Sequence, residues 1–191
     1  MKLTVHRLLE YAEQTPVIPA VKDEAGLHAV GGSESKIVFI LYGNILTIGD
    51  IVEQIHAMGK KAIVHADLVS GLSSREIAAD FIAKNTGADG LISTKPPVIR
   101  RAHELGLFTI QRFFLLDSMA LSNLRLQVAQ TQPDVVEVLP AGISKVIRLL
   151  RHKIGENLIA GGLILDKEDV IAALSAGAAA VSTTNPALWN L

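Results

Sequence analysis

Catalysis in this chain is expected to use His, Asp, Glu, Lys, Arg or Ser, because its 191 residues include no cysteine. That removes disulfide scaffolds, thiolate zinc sites and cysteine nucleophiles together. Two local patterns stand out. His65-Ala66-Asp67 sets two polar side chains two residues apart, which puts both on one face of a strand. Such a pair serves as acid and base, as a clamp for ligand hydroxyls, or as half of a metal site. No third and fourth ligand follows at metal spacing, so no metal site is expected. The second pattern couples Ile159-Ala160-Gly161-Gly162 to Val181-Ser182-Thr183-Thr184-Asn185-Pro186. Paired glycines let backbone N–H groups approach an anion. Asn185 or Thr184 with Pro186 reads as a cap and first helical residue, whose positive end would face the same place. This predicts a phosphate cradle formed between these two segments. The competing explanation is that the glycines only relieve packing at a tight turn.

Those residues need elements beneath them. Eight short Val- and Ile-rich runs begin at Val17, Ile37, Ala62, Gly90, Phe108, Val135, Leu158 and Ala178, spaced 18 to 28 residues apart. Runs apolar on both faces are the mark of buried parallel strands, and the spacing leaves room for a crossover helix each time. Helix punctuation falls between them: Asp50 before and Gly59 after one segment, Ser73 and Glu76 at capping-box spacing, Pro97 at a first position, and Ser118, Ser144 and Asp166 as caps. The first crossover, with Gly26, Gly31 and Gly32, has room only for a short helix. Strict strand–helix alternation over eight units predicts an α/β protein, a single compact (β/α)8 barrel spanning residues 1–191.

In a barrel, function sits at the C-terminal ends of strands. The polar residues there are Asn44, His65, Asp67, Ser93, Lys95, Gln111, Arg112, Glu137, Ser182 and Thr183. Arg112 and Glu137 suit either a ligand or an ion pair inside the barrel, and Asp67 with Glu137 would also suit acid and base catalysis. With 18 basic and 19 acidic residues, the formal net charge of −1 excludes a bulk polyanion binder. A nucleic-acid site must then be a local patch. Arg100 with Arg101 is one candidate; Lys145, Arg148, Arg151, His152 and Lys153 form another, for which a solvated helix face is the alternative. The longest apolar stretch, Ile37 to Ile48, contains Gly43 and Asn44 and is too short to span a membrane. Charges near the N-terminus interrupt any signal peptide, so the cytoplasm is the expected compartment.

On these residues the chain resembles the glycerol uptake operon antiterminator regulatory proteins. The resemblance runs through Val64-His65-Ala66-Asp67-Leu68 with Gly71-Leu72, Asp89 to Lys95, Thr109-Ile110-Gln111-Arg112-Phe113, Asp117-Ser118, Pro133-Asp134 with Glu137 to Pro140, Ile159 to Ile164, and Ala180 to Thr183 ending in Leu188-Trp189. Ala141 and Thr184 depart from it, where glycine and serine are usual. It implies a glycerol 3-phosphate effector with no cofactor, and action on a leader mRNA instead of catalysis. The phosphate would fall on Gly161, Gly162, Ser182 and Thr183. From their strand-end positions, His65, Asp67, Lys95, Arg112 and Glu137 would lie near the glycerol. Lys145, Arg148, Arg151 and Lys153 are the RNA candidates. A phosphosugar or glycerophosphate enzyme is the alternative, as is a barrel with a purely protein partner; assembly into a homo-oligomer stays open.

Overall fold

In the computed structural model, which describes residues 2–155 and 157–191, every Val/Ile run becomes a strand. These are β1 Val17–Val21, β2 Ile37–Ile40, β3 Lys61–His65, β4 Gly90–Ser93, β5 Phe108–Phe114, β6 Val135–Leu139, β7 Leu158–Gly161 and β8 Ala180–Thr183. They pair in parallel in chain order, and β8 closes on β1. The fold is the (β/α)8 barrel. Alternate residues explain the unbroken apolar runs. Ile18, Phe39, Ile63, Ile92, Ile110 and Ile159 fill the barrel, while Val17, Val38, Val64, Leu91, Val138 and Ala160 pack outward under the helices. The interior is a filled core, so ligand chemistry is confined to its ends.

The helices are α1 Val5–Gln14, α2 Glu24–Ala29, α3 Ile48–Ala57, α4 Ile77–Asn85, α5 Pro96–Glu104, α6 Ser118–Thr131, α7 Ser144–Ile154 and α8 Lys167–Ser175. Among the described residues, none is long and apolar enough to cross a membrane. The second is as short as the glycines around it require. Helix α1, not anticipated from the strand periodicity, precedes the barrel. Its Leu8 and Ala12, with Leu3 just before it, join the inner core cluster with Ile18, Ile37 and Phe108 and close the N-terminal end. At the other terminus a three-residue 3-10 turn, Pro186–Leu188, stands where an eighth crossover helix would follow β8. The tail is held by its own bonds: the Trp189 indole donates to the Thr183 carbonyl (2.9 Å), and Asn190 joins Gly32 and Glu34 at 3.2 and 3.1 Å.

Several helix starts differ from expectation, each for a local reason. Asp117, one residue before Ser118, caps α6 by accepting from Ala120 N at 2.7 Å, the stronger acceptor of the two. Helix α4 begins at Ile77, so Glu76 occupies the cap position and no Ser73 capping box forms. Pro96, ahead of Pro97, takes the first position of α5. Ser144 lies inside α7, whose cap is Ile143 without a side-chain bond. Asp166 caps α8 as its spacing indicates, accepting from Asp169 N at 3.0 Å.

Candidate functional site

Residues Arg112 of β5 and Glu137 of β6 lie opposite each other in register, both inward on the pattern set by Ile110 and Val135. The Arg112 Nε donates to Glu137 Oε2 at 2.7 Å, and Ser182 Oγ of β8 donates to Glu137 Oε1 at 2.6 Å. Glu137 is 0% exposed. Both its oxygens are therefore committed to donors, as a polar group buried inside a barrel requires. Among the described residues no protein acceptor takes the two terminal nitrogens of Arg112. They are not sealed away either, since among the described residues His65 Nδ1 is the one buried side-chain polar atom without a partner. The outer edge of the guanidinium thus faces the pocket described below.

His65 ends β3 at 3% exposure. Burial and the nearby Arg112 charge push its imidazole down to about 4, so it is neutral at pH 7 and Nδ1 is free to accept or donate one bond. Asp67 lies in the 3-10 turn after β3 and accepts from Ser93 Oγ (2.6 Å), Thr94 N (2.7 Å) and Thr94 Oγ1 (2.7 Å). Burial opposes its charge, but these donors prevail and hold its carboxyl below the ordinary value. With Asp67 and Glu137 both saturated, neither carboxylate is poised to move a proton. The His65 shift predicts a pH effect. An imidazole whose folded pKa lies below its unfolded value of about 6.5 adds stability above that value, lost as pH falls towards about 4. Urea titrations should show wild-type stability declining through that window and the decline flattened in His65→Asn. Parallel curves would deny His65 this role.

The glycine pair has a definite geometry. A Cβ on Gly161 would fall on the Ser182 hydroxyl and lie 3.0 Å from Glu137 Oε1, so the carboxylate network occupies the space a side chain would need. Gly162 and Leu163 have φ of 71° and 55°, a left-handed bend by which β7 leaves the barrel. The bend sets Leu163, 71% exposed, at the edge of a pocket of about 230 Å³. Arg112, Gly162, Ser182, Thr183 and Thr184 supply its polar lining, and Ala20, Leu41, Leu139 and Leu163 to Leu165 its apolar walls. Those walls carried no signal in the sequence, since leucines occur throughout the chain. Asn185 and Pro186 are cap and first residue as expected, but the 3-10 turn is only three residues long. The Asn185 Oδ1 accepts from Ala187 N (3.1 Å) and its amide donates to Leu165 O (3.2 Å), so this turn braces the pocket loop.

Strand direction separates the other predicted residues. Thr183 and Gln111 alternate with the inward Ser182 and Arg112. Thr183 Oγ1 donates to Ile164 O at 3.3 Å, and Gln111 bonds Gln127 and Thr131 of α6. Ser93 holds Asp67, and Asn44 Oδ1 accepts from Leu46 N at 2.8 Å in the turn before α3. Lys95 is exposed at the cap of α5 and does not line the pocket. Of the basic patches, Arg101 is paired with Asp80 and Glu104. Lys145, Arg148 and Lys153 are exposed on α7, whereas Arg151 sits against Gly177 in a cleft with Leu9 and Glu13. Among the described residues no three His, Asp or Glu side chains converge as a metal would need.

This geometry has relatives. The protein YgcP of Escherichia coli (strain K12) is 45% identical over 184 residues, 96% of each chain. The crystal structure of the glycerol uptake operon antiterminator regulatory protein from Listeria monocytogenes str. 4b F2365 superimposes with a TM-score of 0.89 at 31% identity, covering 99% of this chain and 98% of that one. A glycerol uptake operon antiterminator-related protein from Thermotoga maritima MSB8 gives 0.81 at 33% identity over 92% and 98%. A family profile described as glycerol-3-phosphate responsive antiterminator matches residues 17–189. The chain belongs to the glycerol-3-phosphate responsive antiterminator family.

Proposed function

We propose that the pocket binds glycerol 3-phosphate and that the liganded protein acts on a leader mRNA to prevent termination of glycerol-utilisation genes. The observation that carries it is the Arg112 guanidinium, fixed through Nε to Glu137 with its terminal nitrogens unpartnered at the pocket. A phosphate dianion takes a planar pair of N–H donors well. Ser182, Thr183 and the Gly161–Gly162 backbone complete its surroundings, and Lys95 adds positive charge at the same end of the barrel. His65 Nδ1, neutral and unpartnered, is the candidate partner of a glycerol hydroxyl, beside Asp67 and Glu137; none of the three lines the pocket, so the glycerol would have to reach them past Arg112.

Two saturated carboxylates favour a sensor over a phosphosugar enzyme, which would need one of them free as acid or base. Regulation then requires the ligand to bind one conformation better than another. RNA would meet the protein through the exposed cations of α7, Lys145, Arg148 and Lys153, with Arg151 turned aside towards Gly177. Titrating the cognate leader RNA with and without glycerol 3-phosphate over a salt series tests this. Tighter binding with ligand at every salt concentration is expected; ligand-independent RNA binding would refute regulation, and turnover of a phosphosugar or phosphodiester would make the protein an enzyme.

A further inference from the structure

We propose that the groove between α6 and α7 is the surface that holds the RNA, an inference that rests on the regulatory function above. These helices, 14 and 11 residues long, carry five Lys or Arg and no Asp or Glu. Setting those five charges aside from the net of −1 leaves the remainder of the chain at −6, so positive charge is segregated onto one pair of neighbouring helices. Arg125, Lys145, Arg148 and Lys153 form no ion pair among the described residues. The acids that flank α6 in the chain are engaged elsewhere, Asp117 as the helix cap and Asp134 by Thr109.

The two helices pack on other partners, α6 against α5 and β5, and α7 against β7 and α8. A groove of about 690 Å³ remains at the seam. Arg125 lines it from α6 and Lys153 from α7, with Ser122, Leu126, Ala129 and Ile154 between them. An apolar floor flanked by cations matches a nucleic-acid strand, whose charge lies along its phosphates while its sugars and bases present less polar faces. A flat anionic membrane would meet outermost cations and not a floor between two helices. Arg125 is the addition to the α7 cations; Arg151, turned towards Gly177, is not part of the groove.

The groove is also tied to the ligand. Arg112 lies on the strand that runs into α6, and Glu137 on the strand that runs into α7. Next to Arg112, Gln111 faces outward and is fastened to α6: its amide donates to Gln127 Oε1 at 3.1 Å, and Thr131 Oγ1 donates to its Oε1 at 2.5 Å. A ligand that moves Arg112 therefore acts one residue away from the bonds that fasten α6 to the barrel.

The test compares wild type, Arg125→Glu/Lys153→Glu and the control Arg75→Glu/Lys84→Glu for leader-RNA binding with saturating glycerol 3-phosphate, at several salt concentrations. All four side chains are exposed, so each variant should fold. The groove variant should lose about tenfold or more in RNA affinity and its salt dependence should flatten by roughly two phosphate contacts, while its glycerol 3-phosphate affinity and the control's RNA affinity stay unchanged. Wild-type RNA affinity in the groove variant, or an equal loss in the control, would overturn the groove and leave the regulatory function standing. Absence of RNA binding by the wild type, with binding to anionic vesicles or an acidic peptide in its place, would overturn both.

Discussion

Arg112→Met is expected to be less stable than wild type by about 3–5 kcal/mol and to bind no glycerol 3-phosphate, the stability figure being that for leaving one partner of a buried ion pair alone. The cause is Glu137, 0% exposed, which would keep only the Ser182 hydroxyl as a partner. The stability loss and the binding loss have different origins, and a second variant separates them. In Arg112→Met/Glu137→Gln the buried charge is gone and the new amide carbonyl still accepts from Ser182, so more than half of the lost stability should return. Ligand binding should not return, because the guanidinium edge is absent. Urea unfolding followed by fluorescence of the single tryptophan, Trp189, measures the first, since its indole is buried and bonded to Thr183. Equal stability of wild type and Arg112→Met would mean that the ion pair contributes nothing net to the fold.

Gly161→Ala is the second large effect expected. The added methyl would land on Ser182 Oγ and 3.0 Å from Glu137 Oε1, between two atoms that hold each other at 2.6 Å. Neither atom belongs to a flexible chain end, so β7 and β8 must part or the network must open. Overpacking of this kind costs about 1–3 kcal/mol, and opening the network would in addition loosen Arg112 and weaken ligand binding. Gly161→Ala/Ser182→Ala removes the nearest obstacle and should regain part of the stability without regaining full affinity. A Gly161→Ala protein as stable as wild type would show that the strand ends have room to give.

How much of this the sequence announced depends on the kind of feature. The strands were legible because a parallel strand is buried on both faces; Val17–Val21 and Val135–Leu139 are found where their runs stand, and the others lie within three residues of theirs. Helix α1 was missed although Thr4, Leu8 and Ala12 have cap and core spacing, because eight strand–helix units account for a barrel without any plug at its N-terminal end. The rim was legible as a set, but its members divide by strand parity. His65, Arg112, Glu137 and Ser182 turn inward, whereas Gln111 and Thr183 turn outward and serve the scaffold. Parity within a strand can be read from a run; the stagger that brings Arg112 opposite Glu137 arises only when the barrel closes. The apolar pocket walls at Leu41, Leu139 and Leu163 follow from loop geometry, above all the left-handed bend at Gly162 and Leu163.

Recognition of glycerol 3-phosphate at the Arg112 end of the barrel can be measured by calorimetric titration. Wild type should bind one glycerol 3-phosphate per chain saturably, with glycerol and inorganic phosphate each much weaker, and the stable Arg112→Met/Glu137→Gln protein should give no heat of binding. Undiminished binding by that variant would remove Arg112 from the site, and no binding by the wild type would remove glycerol 3-phosphate as its ligand.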